Sequence, residues 1–167
     1  GWTVGRQLAQ WDPCEGLGLD GSKRAEATWW AMRRAAITVA ESARTTGQAF
    51  GAQVVVHPPT GRRAQLPGVV KGLLDGLVAS LQCHDDRDSL PEVSTRLARS
   101  LDADPRQVAR LLSDDDRAVL GHVDRLLWAR AQGIQWNPSD TDLVAAEILI
   151  GPALSDVWAI SGAVVEL

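Results

Sequence analysis

Between Leu66 and Cys83 the apolar residues Val69, Val70, Leu73, Leu74, Leu77, Val78 and Leu81 recur at i, i+1, i+4, i+5, i+8, i+9 and i+12. This spacing predicts a helix over 67–83 with an apolar stripe two residues wide. A stripe of that width is more than a lone surface helix needs, so the helix must lie on a sheet. Pro67 fits the first helical position, where a missing N–H costs nothing. Val54, Val55 and Val56 offer one strand for that face, stopped by Pro58 and Pro59. The stretch IQW restarts a strand, and DLVAAEILI and VWAISGAVVEL read as a closing pair.

The rest of the chain is read around this core. Residues 1–22 are an irregular or strand-like lead-in with apolar anchors at Trp2, Val4, Leu8 and Trp11. A long helix follows, capped by Ser22 and ended by Gly47. It buries Trp29, Met32, Ala36 and Val39 or Ala40, and it leaves Arg33, Arg34 and Arg44 at the water boundary. Residues 84–132 read as three short, charged amphipathic helices, two opened by proline and the last ended by Gly133. The expected fold is α+β: a single domain over 1–167, with a small mixed sheet, helices on one face and a helical insertion over 84–132.

Composition narrows the function classes. The chain has 167 residues, 45% of them hydrophobic, with a net charge of −4. That is enough for one buried core, and a negative balance confines any nucleic-acid contact to a local basic patch. No run of about eighteen apolar residues is present, so a membrane span is not expected. Cys14 and Cys83 lack zinc-type Cys/His spacing. Two reduced core thiols in a cytoplasmic protein is the simplest reading, and one disulfide is the alternative. The opening GWTVGRQ carries neither an initiating Met nor a signal-peptide pattern, which suits a piece of a longer protein. Core filling accounts for most of the seven tryptophans.

The chemistry-bearing residues are few. In GRRAQLPGVVKGLLDGL a basic tip, Arg62 and Arg63, precedes the helix that carries Lys71 and Asp75 one turn apart. These residues read either as the remains of a phosphate-handling or metal-binding site or as an exposed i, i+4 ion pair beside a soluble turn. His57 is read as a strand end. His84 is placed where a helix C-terminus and acids would favour its charged form. Cys83-His84-Asp85 cannot form a thiol-protease arrangement from consecutive residues, and His122 is placed mid-helix on the surface. Asp114, Asp115 and Asp116 suit a helix N-cap rather than a calcium loop.

The order of strand, turn, basic tip, helix and later strand resembles the RusA-type crossover-junction resolvases. QLPGVVKGLLDGL matches that family's helix at Lys71, Asp75, Gly76 and Leu77, and IQWNPSDTDLVAAEILI resembles its later strand, turn and strand. The resemblance covers roughly 48–83 and 134–167. It implies a homodimer, branched or duplex DNA as ligand, and Mg²⁺ as cofactor. It also implies catalytic roles for Lys71, Asp75 and Asp140, metal ligation by Asp140 and Asp142, and DNA contacts from Arg62, Arg63 and Lys71. Gln65 and Pro67 stand where the family has carboxylates, and Gly68 where it has Asn. The expectation is therefore a nucleic-acid-binding domain with a degenerate metal site and weak or absent nuclease activity. The alternative is a non-catalytic module that binds a protein partner through its acidic insertion.

Overall fold

The computed structural model describes residues 4–167. In chain order the elements are β1 (Gln7–Leu17), α1 (Arg24–Arg34), β2 (Ile37–Val39), β3 (Phe50–His57), α2 (Leu66–Ser80) and β4 (Cys83–His84). They continue with α3 (Leu90–Leu101), α4 (Pro105–Ser113), β5 (His122–Val123), β6 (Leu127–Arg130), β7 (Gly133–Trp136), β8 (Leu143–Ile150) and β9 (Trp158–Glu166). The fold is mixed α+β. Trp2 lies outside the described residues.

A five-stranded sheet in the order β2-β1-β9-β3-β8 organises the chain. Its pairs are antiparallel except β3–β8, which runs parallel. Phe50, Ala52, Val54 and Val56 alternate along β3 and are all buried on one face. Against them lies the predicted stripe of α2: Leu73, Leu77 and Val78 are fully buried, and Leu74 packs at the margin of the same cluster. Leu143 and Ile148 of β8 join this cluster at its edge. The helix-on-sheet expectation is met.

β1 is longer and more regular than its turn-rich sequence suggests. A register shift between Trp11 and Cys14 lets both side chains reach the core despite their odd spacing. Pro13 is accommodated because β2 pairs only with Ala9 to Trp11, so β1 is an edge strand beyond that point.

The long helix expected over 22–47 ends at Arg34. Ala35 turns to an extended conformation and β2 follows, its Ile37, Thr38 and Val39 being better suited to a strand. The carbonyls freed at that end are taken by Arg117, whose guanidinium donates to Met32 O at 2.9 Å and Ala35 O at 2.6 Å. Arg33 is not at the water boundary but buried, with bonds to Ser80 O at 3.1 Å and Leu111 O at 2.7 Å. Burial lowers its pKa, and Asp114 partly offsets that.

α1 and α2 cross closely because α2 presents glycines there. A Cβ on Gly76 would sit 2.5 Å from Ala25 O, and one on Gly72 would sit 2.8 Å from Arg24 Cβ. The far side of this helix pair supports a second core, in which Trp29 and Ala79 meet Val93, Leu97, Val108, Leu112 and Leu127. The insertion is helical only over α3 and α4. Its third expected helix is instead β5, a connecting loop and the β6–β7 hairpin, in which Leu127 pairs with Trp136. Leu120, Val123, Leu126 and Leu127 imitate helical spacing, and the hairpin turn at Ala131 (φ 50°) lacks an Asn-Gly or Asp-Gly signal.

Candidate functional site

The residues singled out in the sequence separate into distinct places. Lys71 and Asp75 form the simple i, i+4 pair, Nζ to Oδ2 at 3.0 Å, with the lysine largely in water. The hydrogen bond and charge of Asp75 raise the Lys71 pKa, and the Asp140 charge adds to this. Asp140 thus lies on the same side of the molecule as the pair, on an exposed loop held by Gln82. The Gln82 amide donates to Ser139 O at 2.9 Å and accepts from Ser139 N at 3.1 Å.

Asp142 is held elsewhere. Its carboxylate lies 2.8 Å from the Arg44 guanidinium and accepts from Gly47 N at 3.1 Å. The Arg44 side chain is only 5% exposed and packs over the Phe50 ring. This carboxylate neutralises a nearly buried cation. Asp142→Ala is expected to cost about 2–3 kcal/mol in a urea titration, the order for losing a charge-assisted bond to a nearly buried cation whose remaining acceptors are the Thr45 and Gln48 carbonyls. Asp142→Asn should cost less, because its amide oxygen can still accept from Gly47. Equal losses in the two variants would show that the Gly47 bond contributes nothing and that the lost charge accounts for the whole effect.

Arg62 and Arg63 reach a concavity at the start of α2, about 260 Å³ in volume, which Arg24 and Trp158 also line. Arg24 Nε donates to Leu19 O at 2.8 Å, and Arg62 pairs with Asp20 at 2.8 Å. Among the described residues no carboxylate pairs with Arg63. Gln65 occupies the N-cap of α2 without a side-chain cap bond; Gly68 N donates to the Gln65 carbonyl at 3.2 Å, and Gly68 and Val69 line this pocket. The Trp158 indole N–H is buried without a partner. Three guanidiniums at a helix N-terminus, set against the single carboxylate of Asp20, leave this pocket with a net positive charge.

A second cluster was not foreseen. β4 and β5 pair in parallel with Cys83 opposite His122. Asp85 lies two residues past Cys83 and returns to the same side. Donor atoms of Cys83, Asp85 and His122 all lie within 4.8 Å of one another. His122 Nδ1 is 2.7 Å from Asp85 Oδ1, and Cys83 Sγ donates to Ser113 O at 3.3 Å. Burial pushes the Cys83 thiol up to about 11, with the charges of Asp85 and Asp115 adding to it.

The alternation Cys-x-Asp was the only local signal for this cluster. The decisive residue, His122, was assigned to a helix and is in a strand. His84 points away into the protein: Nε2 bonds Asp86 O and Ser89 Oγ at 3.0 Å each, and Nδ1 accepts from Leu127 N. Burial lowers its pKa, so its neutral form is favoured, contrary to the charged form expected from sequence. His57 is structural, bonded to Pro152 O at 2.9 Å. Asp114 is spent on Arg33 and on the Asp116 backbone N–H. Cys14 and Cys83 are both free and buried.

Comparison with protein-family models, with curated proteins and with solved structures finds no match to this chain.

Proposed function

We propose that this chain binds the phosphate backbone of nucleic acid, branched or duplex DNA in the first instance, at the pocket formed by Arg24, Arg62, Arg63 and the start of α2. The observation that carries this reading is the convergence of three guanidiniums, opposed by the one carboxylate of Asp20, at the start of a helix without a side-chain cap. Phosphate is the anion best matched to forked guanidiniums and backbone N–H groups together. Lys71, further along α2, would extend the contact to a neighbouring phosphate. The RusA-type resemblance supports the same ligand class.

The reading includes little or no Mg²⁺-dependent cleavage. Mg²⁺ needs hard oxygen ligands in near-octahedral array. Gln65 and Pro67 stand in place of two carboxylates, Asp142 serves Arg44, and Asp140 is left with the Lys71–Asp75 pair. These residues do not fit such an ion, and no catalytic step is drawn through one.

Fluorescence anisotropy with duplex, single-stranded and four-way-junction DNA over a salt series tests the proposal. Binding is expected at low salt, with log K falling on log salt with a slope of about 2–3, as for three phosphates neutralised. Arg62→Ala/Arg63→Ala should weaken binding at least about ten-fold, and adding Lys71→Ala should weaken it further. Binding absent at low salt, or unchanged in these variants, would defeat the proposal.

A second reading is favoured by one specific feature. The edge strand β8 exposes Val144, Leu149 and Ile150, and the following loop exposes Leu154 and Val157. This apolar edge suits a protein partner or a second copy of the chain. The insertion suits one less, since Val93, Leu97, Val108 and Leu112 are buried and its one exposed aromatic, Trp128, lies under the Arg125 guanidinium.

A further inference from the structure

We propose that Cys83, Asp85 and His122 bind a divalent transition-metal ion of the zinc class, at a site separate from the arginine pocket. The three donors come from different parts of the chain, yet the backbone fixes them together. Cys83 N donates to Gly121 O at 3.2 Å and Asp85 N to Val123 O at 3.0 Å, so the parallel β4–β5 ladder brackets His122 between the other two ligands. Site geometry is set by main-chain pairing and not by the freedom of long side chains.

The donor set selects the ion. One thiol, one imidazole and one carboxylate are the mix that a borderline-soft cation accepts, and Mg²⁺ and Ca²⁺ prefer oxygen throughout. Donors within 4.8 Å of one another close around an ion of this size with small side-chain rotations. Metal–ligand bonds of roughly 2.0–2.3 Å are then reached from all three sides.

The surroundings suit entry and retention. The cluster lines a pocket of about 420 Å³ that also contains Asp115, Arg87 and Ser113. Cys83 forms its buried floor, and the side chains of Asp85 and His122 are each 47% exposed at its mouth. A water completes the shell, and the Asp115 carboxylate on the pocket wall adds negative charge near it. Asp85 and Asp115 oppose Arg87 and make the wall a net attractor of cations. Coordination replaces the Cys83 S–H bond with a sulfur–metal bond and releases that proton to solvent. His122 binds through a neutral ring nitrogen.

The test uses the full untagged chain and the metal alone. Co²⁺ titration should produce a thiolate-to-cobalt charge-transfer band that saturates at one equivalent, and Zn²⁺ should abolish it by displacement. Cys83→Ser should remove the band. His122→Asn, at an exposed position where folding is not at stake, should weaken Co²⁺ binding at least about ten-fold, and Asp85→Asn should do the same. Cys14→Ser should leave the titration unchanged. Zn²⁺ should raise the melting temperature of the parent chain and not that of His122→Asn. Absence of a one-equivalent saturating band, or a band that survives Cys83→Ser or keeps its affinity in His122→Asn, would overturn the proposal.

Discussion

Gly162→Val is expected to prevent the chain from folding. β9 is the middle strand of the sheet, and Gly162 is paired with Trp11 on one side and Val54 on the other. A Cβ there would run into the Gln53 carbonyl oxygen, and it would lie 3.1 Å from Trp11 Cζ2 and 3.2 Å from Val54 Cα. Two of these three neighbours are backbone atoms of the adjacent strand, so no rotamer change relieves the contact. Overpacking a core ordinarily costs about 1–3 kcal/mol because side chains yield. Where main chain must yield the cost exceeds that range, against a total stability of about 5–15 kcal/mol for a domain. Circular dichroism and urea unfolding decide the matter. A variant that folds with a near-parental midpoint would show that the β9–β3 spacing relaxes freely.

Trp29→Ala is expected to cost about 3–5 kcal/mol, the range for deleting a large buried aromatic. Trp29 is 1% exposed and stands where α1 meets the second core, with its ring 6.1 Å from that of Trp30 and 5.8 Å from that of Trp136. The loss should be uneven. Amide exchange in α3 and α4 should accelerate more than exchange in β3 and β9, because the vacated space lies between the α1–α2 pair and the insertion. Uniform acceleration would show that the two cores open as one cooperative unit.

The parts legible in the sequence are those in which a local pattern and a tertiary demand coincide. The α2 stripe, the β3 valines and the strands β8 and β9 are of this kind. Residues 22–47 failed because the end of α1 is set by Arg117, more than eighty residues away, and by pairing with β1. Residues 114–132 failed because apolar spacing that suits a helix also suits a short strand and hairpin packed on α3. Arg33 was misplaced for a related reason: the carbonyls it serves belong to α2 and α4. Of the candidate sites, the Arg62–Arg63 tip was legible because loop and helix start are adjacent in the chain. The Cys83–Asp85–His122 cluster was not, because it depends on a strand pairing across nearly forty residues with no periodic signature.

The central position of β9 bears on how the chain is made. β1 and β3 both pair with it, and β3 ends at His57 where β9 starts only at Trp158. At about 5–20 residues per second of synthesis, β3 waits roughly 5–20 s for its partner. In that interval the growing polypeptide holds two unclosed strand edges beside an apolar helix, while α3 and α4 form from contacts close in sequence. The ribosome-bound intermediate is therefore a natural client for a chaperone that shields strand edges. Slowing translation downstream of α4 should lower the soluble yield without changing a single residue of the product.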